Sequence, residues 1–230
     1  MTMQRDRAKV AVYGGTFNPI HSGHLVLVET LLHRGIVDRV VLMPNSAPDW
    51  KVKADEEVSP MEHLASYEER CDMIKIAIKG YDQRVSLSTL ESTLPRPSYT
   101  LQTLDALAHE WLNCEFAWVI GYDELNQLHK WEPDPIRLVR SYEFISYPRA
   151  GYPVDLLEMN HHWPGWLCRK LLDGVVFDIP NIGISSSDVR MLIATGCDKM
   201  VEASMLPSGV MDYIREHGLY GATKKEKTNG

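Results

Sequence analysis

Two histidines spaced three residues apart follow a glycine-rich turn near the beginning of the chain. The segment occupies residues 14–24 and reads GGTFNPIHSGH, so its histidines are His21 and His24. Residues three apart on a helix lie on the same side, and glycine lets a backbone approach a phosphate with no Cβ in the way. The free N–H groups and the dipole of a helix start favour negative charge. The segment therefore predicts a binding site for the phosphates of a nucleotide.

The elements around this segment place it where α/β proteins bind ligands. The apolar run KVAVY at residues 9–13 predicts a strand before the turn, and LVLVE at residues 25–29 predicts a helix after it. Open α/β sheets bind ligands at the carboxyl ends of their strands. A glycine turn or a histidine pair found alone is more often a packing feature. Their coincidence at a strand end favours the phosphate site over packing.

A second candidate anion site lies far along the chain, at residues 184–190, which read ISSSDVR. Serines ahead of an apolar-periodic run are typical of a helix N-cap, which is the simpler interpretation. The hydroxyls and Arg190 would also bind an anion, because arginine offers phosphate a bidentate fork that lysine lacks. Two anion sites distant in sequence suit the triphosphate of ATP. The chemistry indicated is in-line displacement at phosphorus, which needs positioning and charge neutralisation rather than a protein nucleophile.

Both segments resemble motifs of one enzyme family. Residues 14–24 are similar to the H-x-G-H signature of the nucleotidylyltransferase superfamily and, over their full length, to bacterial nicotinate-nucleotide adenylyltransferases. Residues 184–190 resemble that family's I-S-S-T-x-x-R motif, with Ser187 in place of threonine. The resemblance implies an enzyme of NAD biosynthesis in which nicotinate mononucleotide attacks the α-phosphorus of ATP, yielding deamido-NAD and pyrophosphate. It also implies Mg²⁺ bound mainly through the ATP phosphates.

The resemblance assigns roles to individual residues. His21 and His24 would bind the α- and β-phosphate region and stabilise the leaving pyrophosphate, and Arg190 would hold the β and γ groups. The residues implied to line ATP are Gly14, Gly15, Thr16, Phe17, Ser185, Ser186, Ser187, Gly121 and Asp123.

Further segments are similar to the family's pyridine-nucleotide site. Residues 98–104, SYTLQTL, resemble a segment that holds the pyridine carboxylate, Trp131 matches a tryptophan that stacks on the ring, and Arg149 lies in an imperfect match to an R-P-G strand end. The pyridine-binding residues implied are Lys51, Ser98, Tyr99, Thr100, Trp131 and Arg149. Simpler interpretations stay open: helix capping for the serine and threonines, core packing for Trp131, and no ligand contact for Arg149.

The chain departs from the family in one segment. Where the family usually carries Pro-Pro-His-Lys after its second strand, residues 45–53 read NSAPDWKVK. The histidine is missing, and either Lys51 or Lys53 supplies the cation, of which Lys51 is the preferred candidate. The change leaves open how the mononucleotide phosphate is held and which pyridine nucleotide is favoured.

The alternation of short apolar runs with longer amphipathic ones predicts an α/β fold with a mainly parallel sheet. The resemblance to the family implies that this sheet is Rossmann-like and doubly wound. The predicted strands are residues 10–13, 40–43, 85–88, 116–120, 142–146 and 175–178. The predicted helices are residues 24–33, 66–80, 100–111, 123–130, 186–195 and 207–218, and the longest irregular regions are 45–60 and 149–174. We expect one domain over residues 9–220, helical from 180 to 220, between an N-terminal extension (1–8) and a disordered tail (221–230).

The composition excludes several classes of protein. Hydrophobic residues make up 44% of the 230-residue chain and charged residues 24%, as in globular domains, and the net charge of −7 indicates no nucleic-acid surface. No apolar run approaches the ~20 residues of a membrane span, and the N-terminus lacks the apolar stretch of a secretory signal. The 4 cysteines show no paired spacing, which argues against a zinc cluster or disulfides. A cytoplasmic protein is therefore predicted, with neither membrane nor nucleic acid as partner.

His161 and His162 are interpreted as surface or packing residues rather than metal ligands, because neighbouring side chains diverge and no ligand cluster lies near them in sequence. The predicted partners are ATP and a pyridine mononucleotide, and self-association into a homo-oligomer is left open.

Two alternative functions follow from the same residues. The acceptor of the adenylyl group could be nicotinamide mononucleotide or another phosphate, or the protein could be a nucleotide-binding sensor without catalysis. A sensor could keep its glycine turns and lose the charge-stabilising side chains. The presence of His21, His24 and Arg190 together favours the enzyme.

Overall fold

The apolar runs of the sequence form a parallel sheet. A computed structural model describes residues 7–46, 63–149, 151–177, 179 and 183–223. Its strands are β1 Ala8–Gly15, β2 Arg39–Pro44, β3 Val85–Leu87, β4 Cys114–Gly121 and β5 Glu143–Tyr147. They lie in the order β3-β2-β1-β4-β5, and the β1–β4, β2–β3 and β4–β5 pairs are parallel. The strand order reverses between β1 and β4, and such a reversal is where open sheets bind ligands.

Helices follow the strands, so the predicted doubly wound α/β class is confirmed. The helices of the described residues are α1 Ser22–His33, α2 Tyr67–Ala77, α3 Thr100–Glu110, α4 Tyr122–Gln127, α5 Pro135–Ser141, α6 Leu156–His162, α7 Gly165–Asp173, α8 Ser186–Ala194, α9 Asp198–Ser204 and α10 Val210–His217. In the part of the chain that the structure describes, none of these helices has the length and apolarity needed to cross a membrane. The cytoplasmic location stays a prediction.

The chain divides into two compact units, each built from segments that are separate in sequence. The first comprises Met1–Gly14, Leu27–Met43 and Gln83–Ile182, and the second comprises Gly15–Val26, Pro44–Asp82 and Gly183–Gly230. The first unit contains nearly all of the sheet, and the second contains the turn after β1 together with α2 and the C-terminal helices. The predicted single domain stays a prediction.

The central strands form the core of the first unit. Val10, Ala11 and Val12 of β1 are fully buried on both faces of the sheet, as expected for a parallel sheet covered by helices. One hydrophobic cluster joins strand residues such as Phe116 to side chains of α3, α5 and α7. Leu107 of α3 is an example of these helix side chains. This packing sets the position of the strand ends that carry the candidate site.

Local signals account for one helix start in detail. Ser66 precedes α2, where its hydroxyl accepts the Glu69 N–H at 3.1 Å and its own N–H donates to Glu69 Oε2 at 2.7 Å. This reciprocal pair is a capping box, and it satisfies donors that a helix start otherwise leaves unpaired.

Three predicted elements are wrong. Within the predicted strand at 175–178, the described residues 175–177 do not form a strand, because Val175 makes only an isolated parallel bridge to Ser146. Residues 149–174 are not irregular: α6 and α7 lie there, each too short to show a clear period and separated by Pro164. The last helix begins at Val210 rather than at 207, because Gly209 has a left-handed φ of 83°.

We predict that Gly14→Ala lowers the free energy of unfolding by about 1–3 kcal/mol, the usual cost of overpacking a filled core. A Cβ at this position would overlap the indole ring of Trp118 on the neighbouring strand. Urea unfolding followed by tryptophan fluorescence measures the change. Gly80→Ala is the matched control, since nothing lies within 4 Å of a Cβ there. Equal stability of the two variants would show that the ring moves aside at no cost.

Candidate active site

The turn after β1 brings the two histidines of the second unit into ring contact. The centroids of His21 and His24 are 3.7 Å apart with the rings tilted by 30°, and the His21 N–H donates to His24 Nδ1 at 3.1 Å. Phe17 packs its ring edge-to-face against His24 at 4.9 Å. The ring of His24 is therefore held from two sides. Since its Nδ1 accepts a hydrogen bond, the proton of the neutral ring is assigned to Nε2.

The start of α8 joins the same turn through side chains. Arg190 Nη1 donates to the main-chain oxygen of Asn18 at 2.8 Å, and Ser186 Oγ donates to the main-chain oxygen of Pro19 at 2.9 Å. Arg190 Nη2 also lies 3.3 Å from Ser187 Oγ. Burial lowers the pKa of the half-buried Arg190, but a guanidinium stays protonated at any physiological pH. The structure thus places one fixed cation beside the histidine turn.

Ser185 is occupied as a helix cap. Its hydroxyl accepts the Asp188 N–H at 3.1 Å and donates to Asp188 Oδ2 at 2.5 Å, while its N–H donates to the same carboxylate. The simpler interpretation of this serine, N-capping, is therefore correct. Capping also fixes the direction of the first turn of α8, from which Arg190 projects.

A buried arginine ties the backbone around the site together. Arg70 is only 1% exposed, and its guanidinium donates to the main-chain oxygens of Ala65 at 3.1 Å, Thr16 at 2.7 Å and Asn45 at 2.9 Å. Its Cζ also lies 5.6 Å from the ring centroid of Tyr67. One side chain therefore fixes the segments after β1, after β2 and before α2.

The sequence interpretation missed Arg70 and Asn18. Arg70 carried a readable signal, because it occupies the apolar stripe of α2 with Met73, Ile74 and Ala77, where a charged residue needs buried partners. Asn18 lies inside the glycine–histidine segment but offered no feature of its own in sequence. Its importance comes from partners far along the chain.

Within the first unit, the predicted residues at the carboxyl end of β4 lie together. Arg149 Nε is 3.7 Å from Asp123 Oδ2, and Oδ1 of Asp123 is buried and receives no hydrogen bond from the described residues. A Cβ on Gly121 would overlap the carboxylate of Asp123 and would lie 2.7 Å from Arg149 Cγ. A larger residue at this strand end would therefore displace the side chains of the ion pair.

Two buried tyrosines, one in β1 and one in β5, form a hydrogen-bonded pair. Tyr13 and Tyr147 have hydroxyl oxygens 3.3 Å apart, and burial, followed by the charge and hydrogen bond of Tyr147, raises the pKa of Tyr13 well above its usual value. The phenol of Tyr13 is accordingly a hydrogen-bonding group rather than an acid at neutral pH.

A hydrogen bond joins the residue before α3 to Glu132, which follows Trp131 in sequence. Tyr99 precedes the first residue of the helix, Thr100, and its hydroxyl donates to Glu132 Oε2 at 3.1 Å. Ser98 Oγ donates to the buried Glu91 at 3.1 Å. Trp131 is partly buried and packs against the core of the first unit. These residues therefore have structural partners of their own, and ligand contact by them is not tested.

The other residues singled out in the sequence are two lysines in the segment after β2 and the histidine pair of α6. Lys51 and Lys53 lie outside the described residues. His162 pairs with Glu158 at 3.0 Å and stacks on His129 at 3.8 Å, on the exposed side of α6. Among residues 7–46, 63–149, 151–177, 179 and 183–223, no group of three His, Cys, Asp or Glu is arranged to hold a metal ion.

Comparisons with known proteins agree on one family. The model of the Cytidylyltransferase-like family matches residues 12–192. A probable nicotinate-nucleotide adenylyltransferase of Symbiobacterium thermophilum is 35% identical over 218 residues, covering 93% of this chain and 95% of that one. Another, from Synechococcus sp. (strain JA-3-3Ab), is 33% identical over 215 residues, covering 92% and 94%.

Solved structures show the same fold. Plasmodium falciparum nicotinic acid mononucleotide adenylyltransferase complexed with NaAD matches with a TM-score of 0.69 and 20% identity, covering 93% of this chain and 97% of that chain. The same Plasmodium falciparum enzyme complexed with APC matches with a TM-score of 0.68 and 18% identity, over the same shares. At these identities the likeness concerns the fold alone.

We predict that Arg70→Lys lowers the free energy of unfolding by about 2–4 kcal/mol, because a buried carbonyl left without a donor costs about 1–3 kcal/mol. Lysine keeps the charge but cannot reach three carbonyls from one planar group. Urea unfolding measures the loss. Arg137→Lys is the matched control, since Arg137 forms an exposed ion pair with Asp105 and should change stability by less than about 0.5 kcal/mol. An equally small loss in both variants would contradict the bracing role of Arg70.

Proposed function

This chain belongs to the nicotinate-nucleotide adenylyltransferase family, and on that premise we propose that it joins the adenylyl group of ATP to nicotinate mononucleotide, forming deamido-NAD and pyrophosphate. The family predicted from the motifs is confirmed by relatives that span more than nine-tenths of the chain. The observation that carries the proposal is the meeting of His21, His24 and Arg190 at one turn, with rings 3.7 Å apart and the guanidinium 2.8 Å from the Asn18 carbonyl.

The reaction needs no protein nucleophile. An oxygen of the mononucleotide phosphate forms a bond to the α-phosphorus of ATP as the bond from that phosphorus to the bridging oxygen of the β-phosphate breaks. The electron pair leaves with pyrophosphate, so the protein must mainly align the two phosphates and neutralise the charge that develops. Fixed donors aimed at that charge are the largest contribution a site of this kind makes.

His24 is suited to donate to the leaving group. Its Nδ1 is occupied by the His21 N–H, so the proton of the neutral ring lies on Nε2, the atom that would donate to a phosphate oxygen. His21 would contact the same phosphate region, and Arg190 would neutralise the β and γ groups. Gly14, Gly15, Thr16 and Phe17 would line the phosphates with their backbone, as would Ser186 and Ser187.

Mg²⁺ would enter with ATP, held through phosphate oxygens. A magnesium ion that keeps its waters and two phosphate ligands needs few protein groups. Its charge would lower the repulsion between the two anionic substrates. Asp123 and Gly121 would bind the adenylyl portion at the end of β4.

The pyridine carboxylate would sit at the start of α3. The Tyr99 N–H donates to Gln102 Oε1 at 3.3 Å, so the N–H of Thr100 and the positive end of the helix dipole would favour an acid over a neutral amide. Trp131 would offer its face to the planar ring. Lys51 would hold the phosphate of the mononucleotide, and Arg149 would add positive charge to the pyridine-nucleotide site. The substrate preference therefore rests on one helix terminus.

We predict that, in the presence of ATP and Mg²⁺, kcat/KM for pyrophosphate release is at least about 10-fold higher with nicotinate mononucleotide than with nicotinamide mononucleotide. The interaction of the carboxylate with a helix terminus and one charge-assisted hydrogen bond accounts for a factor of this size. A coupled pyrophosphate assay measures both substrates. A higher kcat/KM with nicotinamide mononucleotide would support the adenylyl transfer but contradict nicotinate mononucleotide as its acceptor. Absence of turnover with both would overturn the proposed function.

We predict that His24→Ala lowers kcat by about 10²-fold or more, the usual cost of removing one preorganised donor to a developing charge. His33→Ala is the matched control, because His33 is exposed in the last turn of the same helix and should leave kcat unchanged. The same pyrophosphate assay serves both variants. A wild-type kcat in His24→Ala would exclude this histidine from the phosphate site.

A further inference from the structure

A tyrosine near the end of the described chain is bonded to the histidine turn. Tyr220 is 1% exposed and lies in the 3₁₀ turn Leu219–Gly221. Its hydroxyl donates to Asn18 Oδ1 at 2.7 Å, a buried hydrogen bond between residues 202 positions apart. Nothing in the motifs of the sequence points to this residue.

Asn18 is held at every polar atom of its amide. Oδ1 accepts from Tyr220 and from the Ala65 N–H at 3.0 Å, and Nδ2 donates to the His63 carbonyl at 2.8 Å. The main-chain oxygen of the same residue accepts from Arg190 Nη1. The orientation of the carbonyl that holds Arg190 is therefore coupled to the side-chain contacts of Asn18.

The backbone at both ends of the Tyr220–Asn18 bond is unusual. Within the described residues, the non-glycine residues with positive φ are Phe17 at 49° and Tyr220 at 56°. Bulky side chains rarely adopt this left-handed region, and they do so where surrounding contacts determine it, commonly at functional sites. One of these residues carries the hydroxyl and the other precedes Asn18 directly.

The phenol is a permanent donor in this position. Burial raises the pKa of Tyr220 far above its usual value, and the nearby Arg190 opposes this only in part. The hydroxyl therefore stays protonated near neutral pH, and the bond to Asn18 does not depend on pH there.

We propose that Tyr220 is a positioning residue for the phosphate site: through Asn18 it fixes the carbonyl against which Arg190 is held, and so sets where the guanidinium meets the triphosphate. The proposal rests on the proposed function in that Arg190 is taken to bind ATP. Tyr220 itself is buried behind Asn18, so its effect on ATP passes through Arg190.

The first test is Tyr220→Phe, which keeps the ring and removes only the donor. We predict that kcat/KM for ATP falls about 5- to 20-fold, the effect of one lost buried hydrogen bond, in protein that urea titration shows to be fully folded under assay conditions. Tyr213→Phe is the matched control: Tyr213 lies in the same C-terminal region, bonds to Asp72 at 3.5 Å, and should leave kcat and KM unchanged. A lower urea midpoint for Tyr220→Phe with wild-type kcat and KM would reduce the residue to a structural one and overturn the proposal.

The second test separates this proposal from the proposed function. ATP binding is measured by calorimetry without mononucleotide, in wild type, Tyr220→Phe, Arg190→Lys and the double variant. If Tyr220 acts through Arg190, its substitution weakens ATP binding in the wild type but changes it less than about 2-fold in the Arg190→Lys background. Equal weakening in both backgrounds overturns the proposal. Wild-type protein that binds ATP in this pattern but releases no pyrophosphate would contradict only the proposed function, and failure to bind ATP would contradict both.

Discussion

The geometry of the turn after β1, which carries His21 and His24, depends on a buried guanidinium. Arg70 donates to the carbonyls of Thr16, Asn45 and Ala65. Three irregular segments are therefore hydrogen-bonded to one planar guanidinium. Loops of this kind lack the ladder of hydrogen bonds that fixes a strand, and a buried cation cannot leave its acceptors without a large desolvation cost. The histidines are placed by a turn that this side chain holds in shape.

The sequence predicted which residues meet at the candidate site better than it predicted the contacts that hold them. His21, His24 and Arg190 could be found because each lies in a short segment with helix-start chemistry. What holds them could not be found, because Asn18 meets Tyr220 and Arg190 across 202 and 172 positions, and no local pattern records such pairs. Ser185 shows the converse: a capping box visible in sequence, whose hydroxyl is already used by Asp188.

The fold was predictable where burial leaves a continuous apolar run. Strands β1, β2 and β4 contain such runs because a parallel sheet is covered on both faces. The failed strand near Val175 is also apolar, but it contributes a single bridge beyond the sheet edge, which hydropathy cannot distinguish from full pairing. Helices α6 and α7 were missed because seven and nine residues around Pro164 give too few turns for a period to show.

The long reach of the Tyr220 hydroxyl has a consequence for biosynthesis. Asn18 leaves the ribosome early, but its partner is made 202 residues later, so the turn cannot take its final form on a nascent chain that ends before residue 220. Closing so large a loop costs little more entropy than closing a shorter one, since the cost grows only logarithmically. The delay is therefore one of timing: the set of hydrogen bonds around Asn18 is complete only after residue 220 has been synthesised.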